Sequence, residues 1–377
     1  METMLVKNPL PRPDYAFYHE PTVDEMRQRA VQAIHDFLSI KWTTHKKIAH
    51  NKKGAVSHKR FIYDAHTIHA GLPYADAGKG LFQFFEFYDE KTGRLNFFGT
   101  PEEFNQNLGG TCGCGVVWSW ATVCHSLNCI YANYYMTPMN GCYPVSGYKI
   151  PTDIDHYKDY GTDKIIQDNG VDRIIEAYTK IQPADAVCTS PKDHTMMCID
   201  YPHVEHDENG KIDIEKSYVM IADQRGGSGV DFYVKREDDD LIHYSGRTDF
   251  KYTFQMLLNE YYIPVTPKEF TGEIPYERAK VSITSPCTTK EDLLNATIIS
   301  NYPMAVIKLI VTKRNGFKEM IDRYLVNRVD PHRSSGLARS YPLSRMADAI
   351  TTAEGKKLEV EVTASNGEVI TVASIDL

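Results

Sequence analysis

The run Gly110-Thr111-Cys112-Gly113-Cys114-Gly115-Val116-Val117-Trp118-Ser119-Trp120 sets a glycine-rich turn ahead of an apolar helix and puts cysteine at its start. In the first turn of a helix the unpaired backbone N–H groups and the positive end of the dipole both favour a thiolate. The thiolate is the nucleophilic form, so a catalytic cysteine belongs at such a position. A cysteine in an apolar helix is otherwise a small packing residue. The glycines on both sides and a second motif downstream favour chemistry.

That second motif is Pro183-Ala184-Asp185-Ala186-Val187-Cys188, followed by Asp193-His194-Thr195-Met196-Met197-Cys198-Ile199. A Pro/Asp turn leads into a short apolar strand, a loop follows, and His194 opens the next apolar run. The strand after it reads as Ser217-Tyr218-Val219-Met220-Ile221-Ala222-Asp223-Gln224, reached through a polar, Gly-containing connection around Asn209-Gly210. In such a hairpin the start of one strand faces the end of the other, so His194 is expected beside Asp223 and Gln224. Alternation puts those two residues on opposite faces, so only one of them orients the imidazole. Asp223 is favoured, because a carboxylate stabilises the imidazolium that forms when the thiol ionises. Nucleophile, base and orienter are then in place for acyl transfer.

Cys112 with Val116 four residues on, the Asp185-Ala186-Val187 turn and His194 opening a strand together resemble the NlpC family of papain-like cell-wall cysteine peptidases. Gly71-Leu72-Pro73-Tyr74-Ala75-Asp76-Ala77-Gly78 is similar to that family's upstream Pro-Tyr element. The resemblance spans residues 60–230. Met136-Thr137-Pro138 and Gly141-Cys142-Tyr143-Pro144-Val145 extend it to multidomain members from anaerobic Gram-positive bacteria. Thr111 stands where the family has Asp or Asn, and Gly113-Cys114 replaces Ser-Gly. The resemblance implies a helix packed on an antiparallel sheet, a peptidoglycan stem peptide as substrate and no cofactor. It favours Cys112 as nucleophile. Cys114 is the alternative, by likeness to the papain pattern in which the later of two cysteines attacks. Tyr74 and Trp118 are the candidate substrate-binding residues.

Composition narrows the remaining classes. The 377 residues are 42% hydrophobic and 24% charged, ordinary for a globular chain, with a net charge of −8 that argues against nucleic acid as a partner. No stretch approaches the ~20 apolar residues of a membrane span. Residues 1–13 lack the basic-then-apolar pattern of a secretory leader. The chain reads as cytoplasmic as written, or as secreted if a leader has been removed. Eight cysteines at irregular spacing require no disulfides and form no zinc pattern, so no metal is expected. His203 and His206, beside an acidic turn, read as solvated.

The elements that position these groups follow from periodicity. Residues 22–40 form an amphipathic helix with a Thr22/Glu25 capping box and Met26, Ala30, Ile34 and Phe37 on one face. A buried helix is expected over 116–130 and another over 171–180. Strands are expected over 185–189, 194–201, 216–223, 230–234 and 261–265. The aromatic stripe Phe82, Phe84, Phe85, Phe87 and Tyr88 reads chiefly as core. Composition shifts at 271–275, after which short strands and a Ser365-Asn366-Gly367 hairpin turn suggest a β-sandwich. The expected fold is therefore α+β. A helical arm over 1–58 precedes a papain-like hydrolase domain over 59–275 and a sandwich over 276–377, which offers a surface for substrate or a partner. The rival to a hydrolase is a degenerate hydrolase core serving as a glycan- or protein-binding module. Labelling by a thiol-reactive probe separates the two.

Overall fold

The computed structural model describes residues 6–52, 59–65, 67–75, 77–127, 136–154, 156–157, 160–225, 233–237, 240–326 and 338–377. The fold is mixed α+β, with several sheets. Helix α1 (Val23–Ser39) starts at the expected capping box: Thr22 accepts from the Glu25 N–H, and the Glu25 carboxylate accepts from the Thr22 N–H. Its buried face carries Met26, Ala30, Ile34 and Phe37. Arg27, on the same helix, reaches Asp185 at 2.8 Å.

The sheet that matters for the site is antiparallel throughout. Its strands in chain order are β1 (Cys142–Pro144), β2 (Ala186–Thr189), β3 (His194–Cys198), β4 (Tyr218–Gln224), β5 (Gly246–Thr253) and β6 (Ile263–Pro267). They lie side by side as β5-β4-β3-β2-β6-β1. Helix α2 (Cys112–Trp120) is buried along its whole length, packed between α1 and strands β3 and β4. An apolar helix of this kind has no face to offer water, so it must sit inside.

A second, mixed six-stranded sheet joins Tyr233–Glu237, Asp240–Tyr244, Ile68–Ala70, Lys41–Thr44, Arg94–Leu95 and Tyr88–Asp89 in that spatial order. The described residues within 1–58 therefore carry strands as well as the expected helix. Lys41–Thr44 is an interior strand of this sheet, and Ile48–Lys52 pairs with Lys59–Tyr63 across the expected boundary. The expected helix over 116–130 stops at Trp120, and its far end lies outside the described residues. The helix over 171–180 is one of a pair, Thr162–Asn169 and Val171–Tyr178, broken where Gly170 takes φ 82°, ψ 145°. Of the strand expected over 230–234, residues 230–232 lie outside the described residues, and Tyr233–Glu237 belongs to the second sheet. Phe82, Phe84 and Phe85 are core, on the short helix Leu81–Phe85.

Beyond the irregular stretch 275–280 lie a three-stranded sheet (Val281–Ile283, Thr297–Ser300, Ser340–Pro342) and a four-stranded one. The latter runs Lys318–Leu325, Met304–Thr312, Lys357–Ala364, Val369–Asp376, the last two joined through Asn366-Gly367 as expected. These sheets share a core of their own, including Ile298, Ile307, Leu309 and Val360. They are also fastened to the rest. Lys79 Nζ donates to Leu325 O at 2.7 Å, Gln83 Nε2 to Val326 O at 3.3 Å, and Ser365 Oγ to Ala121 O at 2.5 Å. No helix among the described residues is long and apolar enough to cross a membrane.

Candidate functional site

Gly109 and Gly110 deliver the chain to α2. Gly109 has φ +81°, and a Cβ there would lie 1.9 Å from Pro73 O, so only glycine fits. The close approach is used: Gly110 N–H donates to Pro73 O, and Ala75 N–H to Gly110 O, both at 3.0 Å. Thr111 is the N-cap but its side chain does not cap; its hydroxyl lies 3.4 Å from Cys114 Sγ. The leading N–H groups of α2 thus have no side-chain cap from Thr111, at the end of the helix where a negative charge is favoured. Cys112 is the first residue of that helix.

His194 comes from the β2–β3 hairpin. Asp193 takes φ +49°, a left-handed turn conformation that Asp tolerates, and His194 follows as the first residue of β3. In the β3–β4 register Ala222 faces Met197. Asp223 therefore shares a face with His194, one pleat along the diagonal, while Gln224 shares the opposite face with Thr195. His194 Nε2 and Asp223 Oδ2 are 2.8 Å apart. The Cys112 thiol donates to Asp193 O at 3.9 Å, and its ionisation is linked electrostatically to the His194 imidazole. With Nε2 taken by Asp223, Nδ1 is the nitrogen left for the sulfur.

The electrostatics follow from this chain of contacts. Burial pushes the Cys112 thiol up, but the neighbouring imidazolium and the hydrogen bonds from His194 and Thr195 outweigh it, and the thiol lies below its ordinary value. Burial pushes His194 down, yet the Cys112 thiolate and the hydrogen bond to Asp223 carry it to about 9. Asp223, also buried, is held at about 2 by hydrogen bonds from His194 and Arg247. Together these directions favour a thiolate–imidazolium pair over a neutral thiol and imidazole. Such a pair can attack a carbonyl carbon and return a proton to the leaving group.

No protein-family model, curated protein or solved structure matches the chain.

The remaining sequence candidates fall elsewhere. Cys114 is fully buried on the other side of α2, because two residues turn a helix by about 200°. Gln224 donates from Nε2 to Leu72 O at 2.8 Å and to Pro73 O at 3.3 Å, so it ties β4 to the segment that holds Gly110. Trp118 is 6% exposed and its indole N–H donates to Gly78 O at 3.0 Å. It therefore supports the turn at Gly78–Gly80 and packs in the core. Tyr74 is half-buried beside Gly110, its ring tilted against Phe61 with centroids 5.4 Å apart and its N–H given to Tyr63 Oη.

Two residues that sequence reasoning missed are Arg247 and Arg225, both on Asp223. Arg247 donates Nε to Oδ1 at 2.8 Å and Nη2 to Oδ2 at 2.7 Å; Arg225 donates Nε to Oδ2 at 3.2 Å. No local signal marks Arg247, which reaches Asp223 only through strand register. Among the described residues, no cluster of three or more His, Cys, Asp or Glu side chains is arranged to hold a metal ion.

Proposed function

We propose that the protein is a cysteine hydrolase that cleaves peptide or amide bonds, with Cys112 as nucleophile, His194 as acid and base, and Asp223 as the orienting carboxylate. The observation that carries this reading is the His194–Asp223 pair at 2.8 Å, with the Cys112 thiol, at the start of a buried helix, bonded to the carbonyl of Asp193 just before His194. The helix packed against β3 and β4 supports a papain-like architecture for this part of the chain. The two C-terminal sheets, which share one core, support a β-sandwich.

In the first half-reaction the Cys112 thiolate attacks the carbonyl carbon. The oxygen takes up the negative charge near the N–H groups that begin the helix, the Cys112 N–H among them. His194 gives its proton to the leaving amine, the C–N bond breaks, and a thioester remains on Cys112. In the second half His194, now neutral, takes a proton from water. The resulting hydroxide equivalent displaces the thiolate and releases the acid, and His194 is again protonated. The resemblance to the NlpC family makes stem peptides of peptidoglycan the substrate class to try first.

The test is incubation with stem-peptide fragments and a general peptide library, followed by intact-mass analysis for an acyl adduct. Cleavage with an adduct on Cys112, lost in Cys112→Ala and His194→Ala, supports the proposal. Folded protein that neither cleaves nor acylates contradicts it and favours the binding-module reading.

A further inference from the structure

We propose that Arg247 is a positioning residue that fixes Asp223 and thereby sets the pH range over which the Cys112–His194 pair is charged. This rests on the hydrolase reading above. Arg247 covers both oxygens of Asp223, with Nε on Oδ1 at 2.8 Å and Nη2 on Oδ2 at 2.7 Å, a fork that Lys cannot reproduce. His194 holds Oδ2 as well, at 2.8 Å, so one oxygen is shared by the imidazole and the guanidinium. The carboxylate therefore cannot turn towards or away from His194 without breaking the fork. The arginine is itself held in place: its side chain is 10% exposed and its guanidinium carbon lies 3.9 Å from the Phe250 ring centroid.

The backbone contains a device that delivers it. From Tyr218↔Thr253 to Ile221↔Phe250 the β4–β5 register is regular; it then shifts, so that Asp223 faces Arg247 and Gln224 faces Gly246. One extra residue is accommodated on β5, where Asp249 takes φ +60°. Without this bulge Thr248 would face Asp223, and Arg247 would fall on the opposite face of the sheet with Gln224. Re-aiming a side chain beside a functional site is a recognised use of bulges. Gly246 permits the close approach, since a Cβ there would meet Asp223 O at 2.6 Å.

Among the described residues, charged and titratable groups surround the pair on several sides. Asp193 lies next to the thiol, and Arg225 shares Asp223 Oδ2 from the end of β4. Tyr252 from β5, Tyr262 beside β6, and Glu260, which accepts from Tyr252 Oη, stand behind the arginines. Within this set Arg247 partly neutralises Asp223. A neutral side chain at 247 lets Asp223 act more strongly on His194, which moves loss of the imidazolium to higher pH. The uncompensated carboxylate also disfavours a second negative charge on Cys112, which moves thiol ionisation to higher pH. Both limbs shift the same way. A purely structural role lowers the rate and leaves the limbs where they were.

The experiment follows iodoacetamide labelling of Cys112 by peptide mass spectrometry from pH 4 to 10 in the full chain, with circular dichroism as the control for folding. In wild type, labelling must begin below the ordinary thiol range. In Arg247→Met the acid limb is expected to move up by about one pH unit, the size of effect a neighbouring charge has on a buried group. A folded Arg247→Met chain with unmoved limbs overturns the proposal. Should that variant not fold, Arg247→Lys decides, because it keeps the charge and loses the fork. Its acid limb is expected to move up in a folded chain, because a carboxylate released from the fork acts more strongly on the pair; an unmoved limb overturns the proposal. A wild-type chain without acid-shifted labelling overturns the hydrolase reading and this inference with it. Acid-shifted wild-type labelling that the variants do not alter overturns this inference alone.

Discussion

Replacing Asp223 with Asn keeps the shape of the side chain and removes its charge, so it separates packing from electrostatics. The carboxylate is held at about 2 against an ordinary 3.8, although burial alone would raise it. That difference corresponds to about 2 kcal/mol of net stabilisation of the ionised form, at about 1.4 kcal/mol per pH unit. The sign is that of a depressed acid: the stabilisation is complete above pH 3.8 and is lost as pH falls through about 2. Asn also leaves Arg247, with a 10% exposed side chain, facing a neutral amide. Removing one partner of a buried ion pair costs about 3–5 kcal/mol, so a loss near 3 kcal/mol is expected at pH 6. His194 meanwhile exchanges a charged acceptor for a neutral one, so less holds it at about 9, and burial, which lowers it, gains weight. The expected result is a fall in kcat/KM of about 10²–10³-fold at pH 7, the scale of a misoriented general base. Urea melts at pH 6 and pH 3, with Cys112 labelling at pH 6, measure both effects. A stability gap that does not shrink towards pH 3, or a variant that labels like wild type, refutes the reasoning.

Other substitutions have distinct signatures. Gln224→Ala removes two hydrogen bonds from a buried amide to the Leu72 and Pro73 carbonyls. Chemical denaturation should show a loss of about 1–3 kcal/mol, with kcat/KM reduced less than in Asp223→Asn. Cys114→Ala should keep labelling at Cys112 and hydrolysis, which mass spectrometry reads directly; abolished labelling in a folded chain would return the nucleophile role to Cys114. Trp118→Ala should destabilise by about 3–5 kcal/mol while KM per folded molecule stays unchanged, and a rise in KM would restore its substrate role.

What could be read from the sequence was what local signals encode. Cys112 was legible because glycines on both sides mark a turn into a helix, and His194 because a turn precedes an apolar run. Asp223 followed from hairpin pairing alone. Helix faces were harder: Trp118 is six residues beyond Cys112, about 120° round the helix from it, and no periodicity in an all-apolar helix says which side meets substrate. Arg247 was hidden because its position opposite Asp223 depends on a bulge at Asp249, and nothing in the spacing announces it. The second sheet escaped notice for another reason. Its strands are two to five residues long and come from segments as far apart as 41–44 and 240–244, so pairing is decided by packing, not by pattern. The strands after residue 40 were missed with it, while the irregular stretch after 271 was legible in composition.

The central claim is that Cys112 and His194 rest as a thiolate–imidazolium pair. The most direct measurement is the pH dependence of thiolate absorbance at 240 nm, taken as the difference between wild type and Cys112→Ala. A thiolate signal is expected to appear below the ordinary thiol range and to persist through pH 7. In His194→Ala the same signal is expected only at or above that range, because the imidazolium is what offsets the burial of Cys112. A wild-type signal that rises no earlier than that of His194→Ala would contradict the account.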